Sequence, residues 1–392
     1  MNTLPQDKEK IVIRISLPYL ATVAIAVLLV FLGNRVVTGG LALFQDDSQE
    51  VVRATVQRIT ARYSPEAFYE LELFRGEVIS FEARAARGPR SGSTLLATQS
   101  LGDFAWTETR EVQEGDSILL INFADFGEAW FFYGHLRTNR LLALGILFTL
   151  CVLLFGGKKG FNTILSLALT CGAIFGVFIP SILAGKNIYL MSLLVCAYVI
   201  AMTLLLVVGF NKKALAAACG CASGVAVTAI IAIIMDRALF LTGFLDEHSR
   251  HLQSFPVDPA IDLRAIIFAG ITIGAMGAVM DVALSISSAL WEIKQKARLI
   301  EFGSLFRSGI SIGRDIIGSM ANTLILAYIG TSLSVVLVLS IYSNSILGLL
   351  NREMISVEIL MALAGIFGIL CAMPLTALFS SALFLKKKTL LR

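Results

Sequence analysis

Gly270-Ile-Thr-Ile-Gly274-Ala-Met-Gly277-Ala-Val-Met-Asp281-Val-Ala-Leu-Ser285-Ile-Ser-Ser288-Ala-Leu-Trp-Glu292 is the stretch on which the fold turns. Steps of three and four residues separate Gly270, Gly274, Gly277, Asp281, Ser285, Ser288 and Glu292. On an α-helix all seven therefore share one face. The residues between them are nearly all apolar, among them Ile271, Ile273, Met276, Val279, Val282 and Ile286. This reads as a hydrophobic helix carrying one stripe of glycine, carboxylate and hydroxyl. A carboxylate inside such a span costs roughly 2.5–3.5 kcal/mol on insertion scales, so Asp281 is the first candidate functional residue.

The composition around the stripe sets the class. Of 392 residues, 56% are hydrophobic and only 15% charged, with a mean hydropathy of +0.80. Soluble domains carry about 25% charged residues. Apolar runs long enough to cross a bilayer recur at 15–32, 140–156, 162–183, 188–210, 214–235, 264–290, 316–342 and 356–385. The expectation is a mainly α, polytopic membrane bundle of about eight spans. Residues 1–14 form an N-terminal segment, 15–32 an anchor helix, 140–385 a seven-span bundle and 386–392 a basic tail. The net charge is only +4, so its placement carries the information. With the N-terminus inside, the inner segments hold Lys8, Lys10, Arg14, the pairs Lys158–Lys159 and Lys212–Lys213, the cluster Lys294 to Arg314, and the tail cations. The short outer loops hold only Lys186, Arg237, Arg250, Arg264 and Arg352. The positive-inside rule then places both termini in the cytoplasm. No Ala-x-Ala-like site follows the first span, which favours an uncleaved anchor over a signal peptide.

Residues 33–139 differ in kind. They are polar, with strand-like pieces at Val51–Thr60, Ala67–Phe74, Ser117–Phe123 and Glu128–Tyr133. Val112 to Leu120 reads as a turn entering a strand, and residues 86–93 as a loop. The pattern predicts a small extracytoplasmic β-rich domain, barrel or sandwich, of OB-like size, between the first two spans. Trp106, Trp130 and Phe131 are either its core aromatics, the more economical reading, or a binding face.

All six cysteines fall in predicted spans and none in this domain, which argues against a disulfide scaffold. Cys219-Gly-Cys221 has no partner ligands in sequence to complete a metal site. His248 and His251 sit among carboxylates in an outer loop, where a solvated loop is the simpler account, and His135 has no constellation. Phosphate-loop, His-Glu-x-x-His and Gly-x-Ser-x-Gly patterns are missing. We therefore expect no enzyme, no cofactor and no metal. The basic clusters flank spans, so nucleic acid is not an expected partner.

A second stripe follows the first. Ser311, Asp315, Gly318 and Asn322 share a helix face. Between the stripes, residues 291–314 mix cations with large apolar residues and read as an interfacial amphipathic helix. Gly365, Gly368 and Pro374 suggest a kink in the last span.

Gly274 to Glu292 resembles the signature of the YibE/F family of bacterial multi-spanning membrane proteins. Ile312-Gly-Arg-Asp315 through Tyr328 is similar to its second block, and Ala372-Met-Pro-Leu-Thr376 to its closing one. The resemblance runs from the first span to the last. It implies an anchor helix, an extracytoplasmic domain and a seven-span bundle in a bacterial cell membrane. It assigns no established activity.

Three functional readings remain. In the first, the bundle is a secondary transporter or permease for an unknown small solute or ion. Asp281, Ser285, Ser288, Asp315 and Asn322 then line a polar path, and Gly270, Gly274, Gly277 and Gly318 are helix-packing positions. In the second, it is a membrane sensor or assembly partner working through the outer domain, with a second copy or another membrane protein as its neighbour. In the third, Asp281 and Asp315 form an intramembrane catalytic pair. At 1.5 Å per residue they sit about 10–15 Å apart in depth, which disfavours that pair.

Overall fold

The computed structural model describes residues 17–38, 49–63, 76–86, 90–102, 110–123, 129–245, 247–254, 260–297, 299–342 and 345–385. The expected strand 67–74, Trp106, the basic N-terminus and the basic tail lie outside these residues. Two compact units result, 42–154 and 1–41 joined with 155–392.

The smaller unit contains a closed barrel. Its strands are β1 (Gln49–Tyr63), β2 (Gly76–Ala85), β3 (Thr94–Gly102), β4 (Ser117–Phe123) and β5 (Trp130–His135). They close in the order β1-β2-β3-β5-β4, with β3 and β5 parallel and the other pairs antiparallel. Alternate side chains point inward as the pleat requires. Val52, Ala54 and Val56 meet Ile79, Phe81 and Ala83 in one core with Ile118, Leu120 and Trp130. The burial of Trp130 makes it a core aromatic. Phe131 is half-buried, with its ring 6.0 Å from that of Phe123. Sequence reading passed over β2 and β3. In β3 a polar residue, Gln99, occupies an inward position. Its amide donates to the Arg110 carbonyl at 2.7 Å, and its carbonyl oxygen accepts from Val112 N at 2.9 Å. The expected turn before β4 is present, with Gly115 at φ 91°.

α2 (Thr138–Ala173) begins in this unit and is interrupted at Gly157, whose φ of 53° and ψ of −129° are not helical. The two spans expected at 140–156 and 162–183 are the two arms of this one element. A π-helical turn (Ile174–Phe178) and α3 (Ile179–Leu183) continue the second arm.

The larger unit also contains α1 (Leu17–Thr38), α4 (Ile188–Val207), α5 (Lys212–Ala238), α6 (Glu247–Ser254), α7 (Leu263–Lys296), α8 (Phe302–Tyr342), α9 (Ile346–Leu350) and α10 (Glu353–Leu385). Among the described residues seven helical elements are long and apolar enough to cross a membrane. α1 is held by side chains as well as by packing. The Tyr198 hydroxyl donates to the Ala26 carbonyl at 3.1 Å, and Tyr19 donates to Asn162 at 2.8 Å. Asn187, Asn211 and Asp262 cap α4, α5 and α7 by accepting backbone N–H groups.

α5, α7 and α10 form the centre. α5 and α10 approach through Gly220, Gly224 and Gly368. A Cβ on Gly224 would lie 2.6 Å from Val279 Cγ1 and 2.8 Å from the Gly368 carbonyl. Thr228 ties the seam by sharing its hydroxyl between the carbonyls of Gly224 (3.2 Å) and Ala364 (3.3 Å). The helix of α10 runs unbroken through Pro374. The interfacial helix expected over 291–314 is not a separate element. Its residues divide between the end of α7 and the start of a 41-residue α8. Several of the apolar side chains that suggested an interfacial face are used in packing, with Leu305 fully buried and Ile300, Phe306 and Ile310 against the core, whereas Leu299 and Phe302 are exposed.

Candidate functional site

α7 is the most enclosed of the long helices, packed by α10, α5, α8 and α4. Its apolar residues serve that packing: Val279, Val282, Ala283, Ile286 and Leu290 are buried completely. The stripe is what the neighbours leave uncovered. Gly270, Gly274, Gly277, Asp281, Ser285 and Glu292 are exposed, and Ser288 is half-buried. The helical period thus sorts the sequence into two faces, with the chemistry-bearing one open.

The stripe is closed at one end and open along the rest. A Cβ on Gly270 would meet the Met361 methyl at 3.4 Å, and one on Gly274 would meet the Tyr328 hydroxyl at 2.8 Å. Nothing lies within 4 Å of the equivalent point on Gly277. Tyr328 of α8 therefore lies over the glycine track, and further along α7 Asp281 and Ser285 are exposed. Asp281 has no hydrogen bond and no ion pair among the described residues. Sequence reading did not assign Tyr328 a role. It sits six residues beyond Asn322, at the end of the second motif, where a tyrosine in an otherwise apolar run was the available signal.

The second stripe is not brought against the first. α8 packs through Leu305, Gly309 and Gly313, all buried. A Cβ on Gly309 would meet Ala377 Cβ at 2.7 Å and Leu290 Cδ1 at 3.0 Å. Ser311, Asp315, Gly318 and Asn322 lie about half a turn away and are exposed. No hydrogen bond joins Asp315 or Asn322 to Asp281 or Ser285 among the described residues.

Two expected packing positions need correction. Gly277 and Gly318 are not close-packing positions within this chain, since no neighbouring element lies within 4 Å of the point where a Cβ would stand on either. Close helix contacts fall at Gly220, Gly224, Gly309, Gly313, Gly365 and Gly368, where a side chain of an adjacent helix lies within 3.0 Å of the point a Cβ would occupy. Among the serines of α7, the one that ties the helix to a neighbour is Ser287, not Ser285 or Ser288. Buried beside them, it donates to the Lys213 carbonyl at 2.9 Å.

Among the described residues no cluster of histidine, cysteine and carboxylate is arranged to hold a metal ion. The described cysteines are all free thiols. The loop with His251 contains the short helix α6, whereas Asp246 and the side chain of His248 lie outside the described residues. His135, which had no sequence constellation, lies 3.3 Å from Asp116 in the barrel unit.

Residues 144–386 match the family model described as YibE/F-like protein. No curated protein matches the chain. No solved structure matches it.

Proposed function

The chain belongs to the YibE/F-like family, and from that premise we propose that it is a multi-pass protein of the bacterial cell membrane acting as a secondary transporter or permease, not as an enzyme. The solute is a small molecule or ion, and the route follows the open face of α7. Asp281 binds the proton or cation that moves with it, and Ser285 and Ser288 extend the polar lining. One observation carries this reading: in an apolar helix enclosed by four neighbours, the only charged side chain of the middle turns is uncovered and unpaired. Ionisable side chains inside a membrane are rare and commonly mark an ion or substrate path. The glycines outward of it leave room beneath Tyr328. In this proposal both termini are cytoplasmic and the barrel is extracytoplasmic, following the positive-inside rule.

Site-resolved thiol labelling tests the path. Ser285→Cys and, as a lipid-facing control, Leu326→Cys are introduced into the full chain in its native membrane. An impermeant maleimide is added from each side, and modification is read by mass spectrometry. The path reading expects Ser285→Cys to be modified at a rate within about tenfold of an aqueous cysteine, with Leu326→Cys inert. Equal inertness at both positions would refute it.

The second reading, a sensor or assembly partner, is favoured by the same open face if a second membrane helix covers it. Disulfide formation between two copies of a Gly277→Cys chain would select this reading, and its absence together with labelling at Ser285→Cys would exclude it.

A further inference from the structure

Where α5 ends and α7 begins, the helical unit holds a cavity of about 420 Å3, a size that suits a small ligand. None of the α7 stripe residues lines it, so it is separate from the path. Ile267 of α7 and Leu360 of α10 belong to its apolar wall, and Tyr189 and Phe268 give it an aromatic side with ring centroids 5.0 Å apart. The wall beyond α5 is fixed in place. Glu353 accepts from Thr242 N, Thr242 Oγ1 and Gly243 N, each at 2.7 Å, and this turn buries Leu241 against the cavity.

Four charged side chains reach the cavity: Asp236, Arg237, Asp262 and Arg264. Asp262 is already committed, because its Oδ1 accepts from Arg264 N at 3.0 Å and Ala265 N at 3.2 Å as the cap of α7. Asp236 is not. Its Oδ1 is buried and has no hydrogen-bond partner, while its Oδ2 lies 3.9 Å from Arg264 Nη1, too far for a direct hydrogen bond. A buried acceptor without a donor calls for an explanation, and a ligand is one. Arg237 has no ion pair among the described residues, and Arg264 retains free donors.

A simple cation would satisfy Asp236 and leave two guanidinium groups facing it. A simple anion would satisfy the arginines and face an orphan carboxylate. We infer that the cavity binds a small zwitterion of the free amino-acid class. The ammonium group donates to Asp236 Oδ1 beside the Tyr189 ring, where an aromatic face favours a cation. The carboxylate accepts from Arg264 and Arg237, a pairing suited to the guanidinium fork. An apolar side chain fills the space against Ile267 and Leu360.

Calorimetric titration of the purified full chain in detergent tests this with four probes: L-leucine, L-phenylalanine, isoamylammonium and isocaproate. The last two are leucine without its carboxylate and without its ammonium group. Saturable binding of at least one amino acid is expected, with each truncated probe at least about tenfold weaker than leucine or phenylalanine, because a desolvated charge loses its partner. Asp236→Asn should weaken the amino acid at least about tenfold without weakening isocaproate. No saturable heat from either amino acid overturns the inference, and so does isoamylammonium or isocaproate binding as tightly as the amino acid. The probe series uses the unaltered chain, so the result stands whether or not Asp236→Asn folds.

Discussion

The seam between α5 and α10 and the open face of α7 are built from the same small-residue spacing but meet opposite surroundings. At Gly224 a methyl group would run into Val279, Ala372 and the Gly368 carbonyl. At Gly277 a methyl group would meet nothing. The difference comes from what lies on the rest of each helix. α5 has small residues on its α10 face, so the backbones close up and shared hydroxyl bonds such as Thr228's become possible. α7 has its large apolar residues on the faces that neighbours cover, and they hold those neighbours away from the stripe. Glycine spacing alone therefore says that close approach is allowed, not that it happens.

Alanine at the two positions gives the largest expected contrast. Gly224→Ala should cost about 2–3 kcal/mol, because both the Gly368 backbone and Val279 must move in a packed core. Gly277→Ala should gain up to about 1 kcal/mol from helix propensity. Reversible unfolding of the full chain in detergent measures both. Equal losses at the two sites would mean that a second chain covers the stripe in the membrane, which would break the contrast.

Asp281→Leu is next in size and has the opposite sign to a normal core substitution. The carboxylate has no bond to lose, and an apolar replacement removes a group that is costly at mid-helix, so stability should rise by about 2 kcal/mol. Transport-linked function, on the proposed reading, should vanish at the same time. A fall in stability would reveal a partner for Asp281 that belongs to another molecule, and the uncovered face would then be an interface.

Much of this was legible in the sequence. The steps of α7 assigned its stripe to one face, and the large residues between them marked the covered faces, because both follow from one helical period. The barrel's β4 and β5 were readable from alternation, whereas β3 was hidden by Gln99, an inward polar residue satisfied by backbone groups thirteen residues or fewer away. The relation of the two stripes was not legible. Periodicity fixes which residues share a face but not which face turns toward a neighbour. α8 chose the face with Gly309 and Gly313, where small residues let it sit against α7 and α10, and so turned Asp315 and Asn322 outward. Nor could the sequence pair Asp236 with Arg264, since their meeting depends on how α5 and α7 pack.

The smallest effect separates two serines on the same helix, two residues apart. Ser287 is buried and donates to the Lys213 carbonyl in the first turn of α5, whereas Ser285 is exposed on the stripe. Polar side-chain bonds between helices in a membrane protein contribute about 0.6 kcal/mol. Ser287→Ala should therefore lower stability by about that amount, and Ser285→Ala should leave it unchanged. Unfolding measurements on the two variants side by side cancel their common change in helix propensity. If Ser285→Ala costs as much as Ser287→Ala, the hydroxyl on the stripe has a structural partner and the stripe is a contact surface. If it costs nothing in stability yet alters function, the division holds at the resolution of a single hydroxyl: the buried face of α7 holds the bundle together, and the open face serves function.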